Sequence, residues 1–297
     1  MRRKIGIALL VLFVIFGGGG IYAYSKVKGT MDDMYTDVGH ETGREGEVDI
    51  GSDPFSVLLL GIDKDEGRTD TGRSDTIIIA TINTETKSTI LQSVARDTLV
   101  PIIGKGINDK INHAYAYGGA QMSINTVQSY LNVPIDYYVE MDMDGLKALI
   151  DAVGGVTVEN ERFAFEYLNH YFPLGTLELN GEEALAYSRM RYEDPEGDWG
   201  RQMRQRQVIN AIVKKAVTFQ VSRYDAILKA MGTHTKTNIT MGDVLNISTH
   251  YTTALGSIEE YSLQGNGTVI DGIYYLVVPE EQKLEATNRL RTHLGLK

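Results

Sequence analysis

Two aspartates and a crowd of arginines are the residues whose types and spacing could do chemistry in this chain. Asp63 closes an apolar run, FSVLLLGID, and Asp75 opens the next within GRSDT, with a polar loop between them. Both can therefore sit on one edge of a sheet, where ligands of open α/β sheets gather. Two carboxylates placed together repel each other unless a cation holds them, and hard cations such as Mg²⁺ are commonly bound by one or two carboxylates plus phosphate. The alternative is that each aspartate caps a loop.

The arginines concentrate in YSRMRYEDPEGDWGRQMRQRQ, residues 187–207, which holds five of them. The whole chain carries 39 Asp and Glu against 29 Lys and Arg, a formal net charge of −10, so general attraction to nucleic acid or anionic lipid does not explain the cluster. If the chain is extended after residue 188, Arg189 and Arg191 project to one side, because side chains alternate along a strand. Farther on, RQMRQRQVINAIVKKAV reads as a helix with Val208, Ile212 and Ala216 inward, and the same stripe extended backwards reaches Arg201 and Gln205. Arginines at a helix N-terminus oppose the helix dipole; a bound phosphate reverses that penalty, since backbone N–H groups and guanidinium forks both favour it. The competing reading is a surface helix neutralised by Glu193, Asp194, Glu196 and Asp198. Arg73, two residues before Asp75, and the neighbours Arg96 and Asp97, after KSTILQSV, fall at further strand ends.

The elements that must position these groups follow from hydrophobic pattern. FSVLLLGID reads as a strand buried on both faces, and residues 75–83 and 87–94 as a hairpin joined by Thr84, Glu85 and Thr86. Residues 112–131 read as a helix, YYVEMDM as a strand, and 144–152 as a helix ended by Gly154 and Gly155. GEEALAY gives a short helix, GIYYLVV a further strand and residues 280–294 a last helix. The alternation predicts an α/β fold, a mixed central β-sheet flanked by helices in three layers.

Composition narrows the class. With no cysteine there is no disulfide framework, thiolate metal site or thiol nucleophile, and the six histidines show no ligand spacing such as HExxH. Arg2, Arg3 and Lys4 precede residues 5–24, an uncharged run of 20 residues, long enough to span a bilayer core of roughly 30 Å. No small-x-small cleavage site follows, so the run reads as an uncleaved transmembrane signal-anchor with residues 1–4 cytoplasmic. Residues 25–53, polar and without sustained periodicity, read as a stem, and residues 54–297 as an extracytoplasmic catalytic domain.

Taken together, LLLGID, GRSDT, SVARDT, KINHAYAYGG, YSRMRY and GDWGRQMRQRQV, in this order over residues 55–216, closely resemble the LytR-CpsA-Psr family of cell-wall enzymes. The resemblance implies a single-pass cell-membrane phosphotransferase of Gram-positive bacteria. Such an enzyme moves an anionic glycopolymer from an undecaprenyl-diphosphate carrier to a muramic-acid hydroxyl of peptidoglycan; within the family the chain is most similar to Bacillus members that attach wall teichoic acid. It implies Asp63 and Asp75 as ligands of Mg²⁺, for which Mn²⁺ can substitute. Arg73, Arg96, Arg189, Arg191, Arg201 and Gln205 fall on diphosphate-binding or catalytic positions, and Asp97, beside Arg96, is a general-base candidate. An apolar tunnel for the prenyl chain is implied without its lining residues. A lipid-diphosphate hydrolase, or a binding or sensor module without chemistry, shares the same site, whereas a transcriptional attenuator fits an acidic chain without a DNA-binding motif least.

Overall fold

A computed structural model describes residues 21–39, 41–44, 46, 48–64, 71–217, 224–251, 254 and 257–296. Its frame is a six-stranded mixed sheet formed by β1 (Phe55–Asp63), β2 (Arg73–Asn83), β3 (Ser88–Ser93), β4 (Tyr137–Asp142), β5 (Thr235–Thr237) and β6 (Ile258–Ser262), in the order β5-β4-β1-β2-β3-β6. β1 runs parallel to β4 and antiparallel to β2, and β3 pairs antiparallel with β2 and parallel with β6. β1 alternates Phe55 and Val57 into one apolar cluster and Leu58, Leu60 and Ile62 into another, so the sheet is buried on both faces as its near-continuous apolar run predicts.

Helices cover both faces. α1 (Ile21–Met34), α3 (Met143–Val153), α4 (Gly181–Arg189), α5 (Asp198–Val217), α6 (Tyr224–His234) and α7 (Met241–His250) lie with the first cluster. The second contains residues of α2 (His113–Leu131) and α8 (Glu280–His293). The predicted α/β class and most element positions agree with this frame, and four details differ. The predicted helix over residues 112–131 is broken at Gly119, whose φ of 62° lies in the left-handed region that only glycine enters freely. GIYYLVV forms a separate hairpin with residues 266–270, and the sheet edges are instead β5 and β6. Arg189 ends helix α4 and Arg191 opens a turn, so strand alternation does not set their directions.

The fourth difference is the polar stem, whose described residues pack on the domain. Val27, Met31 and Met34 recur at helical spacing along α1 and are 1%, 1% and 0% exposed. Tyr35 bridges Thr237, and Arg44 donates to both carboxylate oxygens of buried Asp136 at 2.7 and 2.9 Å. A few apolar residues at the right period outweigh a low mean hydropathy, each burial contributing roughly 1.5–3 kcal/mol. Of the predicted membrane anchor, residues 5–20 lie outside the described residues; among those described, no helix is long and apolar enough to cross a membrane.

The C-terminal helix is stitched to the β2–β3 hairpin by His293. Its Nδ1 lies 2.8 Å from Thr81 Oγ1 and its Nε2 2.9 Å from Ser88 Oγ, while its carbonyl accepts from Asn83 at 2.7 Å. Burial lowers the ring's pKa from 6.5 to about 4. Above pH 6.5 the ring is neutral folded and unfolded; below it the unfolded chain takes up a proton that the folded chain refuses until about pH 4. Stability is therefore expected to fall by up to about 3 kcal/mol as pH drops across that window. Urea unfolding of the full chain in detergent at a series of pH values checks this, and a His293→Gln variant with the same slope would show that another group is responsible.

Candidate functional site

The strand ends and the arginine segment converge on one cavity of about 320 Å³. Its polar lining comes from the end of β1 (Asp63), the start of β2 (Asp75), the turn after β3 (Arg96), the end of α4 (Arg189), Arg191, and the first turns of α5 (Arg201, Gln205). Further along β1 and α5, and on β4 and α3, the lining turns apolar, with Leu59 on β1, Val139 and Met141 on β4, Leu146 and Leu149 on α3, and Val208, Ile209 and Ile212 on α5. One end of the cavity thus suits a charged head and the other an apolar chain.

Local backbone geometry presents Asp75. Gly61 faces Thr76 across the β1–β2 ladder but Ile62 faces Ser74, which leaves Asp75 as the extra residue of a β-bulge. Bulges interrupt alternation and re-aim side chains, and here Asp75 and Thr76 both line the cavity. Asn112, the N-cap of α2, makes no capping bond; its Nδ2 donates instead to Asp75 Oδ1 at 3.1 Å.

The ionic groups form an alternating chain. Asp75 accepts from Arg96, which lies 3.8 Å from Asp97; Asp97 lies 3.6 Å from Arg191, Arg191 3.8 Å from Asp198, and Asp198 2.5 Å from Arg201. Arg189 donates to Asp63 at 3.0 Å. Burial pulls the Arg96 pKa down, but Asp75, Asp97 and Asp198 outweigh it and the net direction is up. Arg201 moves down, first through burial and then through the crowding charges of Arg96 and Arg191, against Asp198 and Asp75. Its Nε is buried and has no hydrogen-bond partner among the described residues. Burial raises the Asp97 pKa, yet the bond from Lys110 at 2.7 Å, the Lys110 charge and the two guanidiniums hold it below the ordinary carboxylate value.

Arg204 fixes the loop that carries Arg191. Its side chain is 2% exposed and donates to Asp194 at 2.5 Å, to the Tyr187 carbonyl at 2.9 Å and to the Met190 carbonyl. Asp194 is 0% exposed at its side chain and sits directly over Gly200, where a Cβ would collide with the carboxylate. Residues 187–204 are thereby folded back on themselves around one buried pair.

Of the sequence-predicted residues, Asp63, Asp75, Arg96, Arg189, Arg191, Arg201 and Gln205 line the cavity. Asp97 stands behind Arg96 and Arg191, and Arg73 faces Asp63 in the ladder without lining the cavity; its Nε is buried and unpartnered among the described residues. Asp194 and Asp198 do neutralise arginines, but from inside the fold rather than on a solvated helix face. Asp198 also places an acid in the first turn of α5, which answers part of the dipole penalty. Asn112, Lys110 and the apolar lining were not identified from sequence; an Asn at a helix start reads as a cap, and only the fold turns its side chain to Asp75 instead.

The donor set fits a hard cation. Asp63 and Asp75 offer carboxylate oxygens to one cavity, and Asn112 Oδ1, beside Asp75, is a buried acceptor with no partner among the described residues. Among those residues no group of three or more His, Cys, Asp or Glu suits a metal, so two carboxylates with substrate and water oxygens is the set available, the usual arrangement for Mg²⁺.

Comparison with known proteins places this geometry in context. A sequence profile of the LytR_cpsA_psr family matches residues 21–292. The chain is similar to the polyisoprenyl-teichoic acid–peptidoglycan teichoic acid transferase TagU of Bacillus cereus, 44% identical over 303 residues covering 99% of both chains. It is 46% identical over 292 residues to the TagU of Enterococcus faecalis, covering 97% of this chain and 95% of that one. The solved LytR-CPS2A-psr family protein YwtF (TagT) with bound octaprenyl pyrophosphate lipid superposes with a TM-score of 0.68 at 30% identity, covering 85% of this chain and 95% of that chain.

Removing one partner of a fully buried ion pair strands the other charge. Arg204→Met is expected to lower the unfolding free energy by roughly 3–5 kcal/mol, read from urea midpoints of the full chain. A loss below about 1 kcal/mol, the range of exposed pairs, would contradict the clamp.

Proposed function

The chain belongs to the LytR-CpsA-Psr family, and on that premise we propose that it transfers wall teichoic acid, an anionic glycopolymer, from a polyprenyl diphosphate carrier to a peptidoglycan hydroxyl, leaving a phosphodiester. The observation that carries the reading is the division of the cavity: an apolar channel that ends in a chain of half-buried charges, with Arg201 nearly desolvated and its Nε unsatisfied. A ligand with a long apolar tail and a diphosphate head answers both halves, and the bound octaprenyl pyrophosphate of the TagT relative has that chemistry.

In this reading Leu59, Val139, Leu146, Leu149 and Ile212 seat the prenyl chain, and Arg96, Arg189, Arg191, Arg201 and Gln205 hold the two phosphates. Arg73, which faces Asp63 from the start of β2 outside the cavity lining, would join them only by turning its side chain inward. Asp63 and Asp75 would hold Mg²⁺, which neutralises diphosphate charge when bound. The acceptor hydroxyl oxygen attacks the phosphorus that bears the polymer, the bond from that phosphorus to the bridging oxygen breaks, and prenyl phosphate leaves with the negative charge. The hydroxyl proton passes to solvent or a base. Arginines placed beforehand around spreading negative charge are the main requirement of such phosphoryl transfer. Asp97, held ionised by Lys110, Arg96 and Arg191, is a poor proton acceptor; its geometry suits orienting the two arginines. Residues 5–24 anchor the enzyme in the cell membrane with the catalytic domain outside.

Incubation of the full chain in detergent with an undecaprenyl-diphosphate glycan and peptidoglycan oligomers, with and without Mg²⁺, tests the reaction by mass spectrometry. The expected product is a glycan–phosphate–peptidoglycan adduct; free glycan phosphate alone would make the protein a hydrolase, and unreacted bound donor a binding module. Arg96→Ala is expected to lose transfer about 100-fold or more while staying folded, and Arg96→Lys to restore little, because the forked geometry is gone. Normal turnover by Arg96→Ala would remove its role. Asp97→Asn is expected to lower kcat without deleting the acid-side limb of the pH–rate profile, where a general base takes up its proton; loss of that limb would restore Asp97 as the base.

A further inference from the structure

Two side chains of the arginine segment, Trp199 and Arg206, lie outside the diphosphate cavity and take no part in the Arg204–Asp194 clamp. Both line a second cavity of about 400 Å³, on the other side of α5, with Gln92 from β3, Glu260 and Tyr261 from β6, and Arg289 from α8. The framework is rigid. Arg206 donates to Glu260 at 2.6 Å, to Ser262 at 3.0 Å and to Ser93 at 3.2 Å. The Arg289 guanidinium lies 3.7 Å from the Tyr261 ring centroid and donates to Gln92 at 3.3 Å and to Glu285 at 2.5 Å. The indole N–H of Trp199 has no partner among the described residues.

Charge decides what class of ligand fits. Each arginine is matched by its own glutamate, so the groove has no surplus cation for a polyanion, in contrast to the diphosphate cavity. Its lining is too polar for an acyl chain. Planar guanidinium, carboxylate and amide groups beside aromatic rings are the surface that a neutral sugar matches, since sugars carry paired hydroxyls around an apolar ring face. We propose that this groove binds a neutral oligosaccharide, the glycan portion of a substrate whose reacting phosphate lies in the neighbouring cavity.

Position supports the pairing. Gln92 and Arg96 are four residues apart, at most about 14 Å along the chain, and Arg201 and Arg206 are about 7.5 Å apart along the axis of α5. The groove and the phosphate site are thus neighbours along the chain on opposite sides of α5, the relation expected if one substrate passes around the first turns of that helix. Two sources share this chemistry, the acceptor glycan strand and the sugars of the lipid-linked donor. The assignment of source rests on the transferase reading, whereas binding itself does not.

Trp199 is the single tryptophan of the chain, so its emission reports the groove directly. Titration of the full chain in detergent with chitotetraose, followed by fluorescence and calorimetry, is expected to show saturable binding. Arg289→Ala and Tyr261→Ala should each weaken it about tenfold or more, a loss of roughly 1.4 kcal/mol, with unchanged unfolding midpoints, and Arg96→Ala should bind as the parent does. Arg289→Lys, which keeps the charge but not the flat stack, should behave like the alanine variant and serves if that one unfolds. Absence of heat and emission change, or binding lost in Arg96→Ala but kept in the groove variants, would overturn the proposal. In the transfer assay Arg289→Ala raises the KM of the glycan acceptor if the acceptor seats there, and that of the donor if the donor's sugars do. Chitotetraose binding without any transfer by the parent chain would remove the transferase reading and leave the groove standing.

Discussion

Arg204 and Asp194 form an ion pair with almost no solvent contact, and the rest of the site depends on it. Water cannot compensate either charge, so the pair holds only while the Tyr187 and Met190 carbonyls take up the remaining guanidinium donors and Gly200 leaves room for the carboxylate. These demands fold the end of α4, the following loop and the start of α5 into one unit. Arg189, Arg191 and Arg201 are delivered together as a consequence, each from a different local structure.

The second consequence is electrostatic. Five guanidiniums in one short segment of an acidic protein would repel one another in isolation, and the structure interleaves them with Asp194 and Asp198 of the segment itself and with Asp63, Asp97 and Glu260 from distant points of the chain. Arg96 is raised by its carboxylate neighbours, while Arg201, at the far end, is lowered by burial and by other arginines. Arg201 lines the cavity with Asp198 on one side of its guanidinium and a buried Nε that no described residue satisfies. The groove on the other side of α5 uses the same helix with its charges balanced, which separates the two surfaces by the kind of ligand each can hold.

Much of this was legible in residue order. The doubly apolar β1, the β2–β3 hairpin and the helices around residues 112–131 and 280–294 follow from period and strand ends, as does the shared edge of Asp63 and Asp75, whereas the convergence of Arg96, Arg201 and Gln205 on them was implied by the family resemblance. Other features were not. The packing of α1 rests on Val27, Met31 and Met34 within an otherwise polar stretch, and the edge strands β5 and β6 are too short for alternation to register. The break at Gly119 was written in a Gly-Gly pair that a helical pattern on both sides concealed.

The sequence by itself determined which side chains exist and how each is aimed within its own element: a run of period two, a stripe of period three or four, an acid in a helix's first turn. Those preferences are local, because they arise from backbone sterics and hydrogen bonding over a few residues. Only the tertiary structure decided that Asp75 is the bulged residue, that Asn112 serves Asp75 instead of its own helix, that Asp97 is ringed by three cations, and that Arg204 is sealed in a clamp while Arg201 lines the cavity with its Nε unsatisfied. Each of these depends on a partner dozens of residues away or on the exclusion of water. Neither has a signature in residue spacing, because both come into being only when the sheet and the helices close on one another.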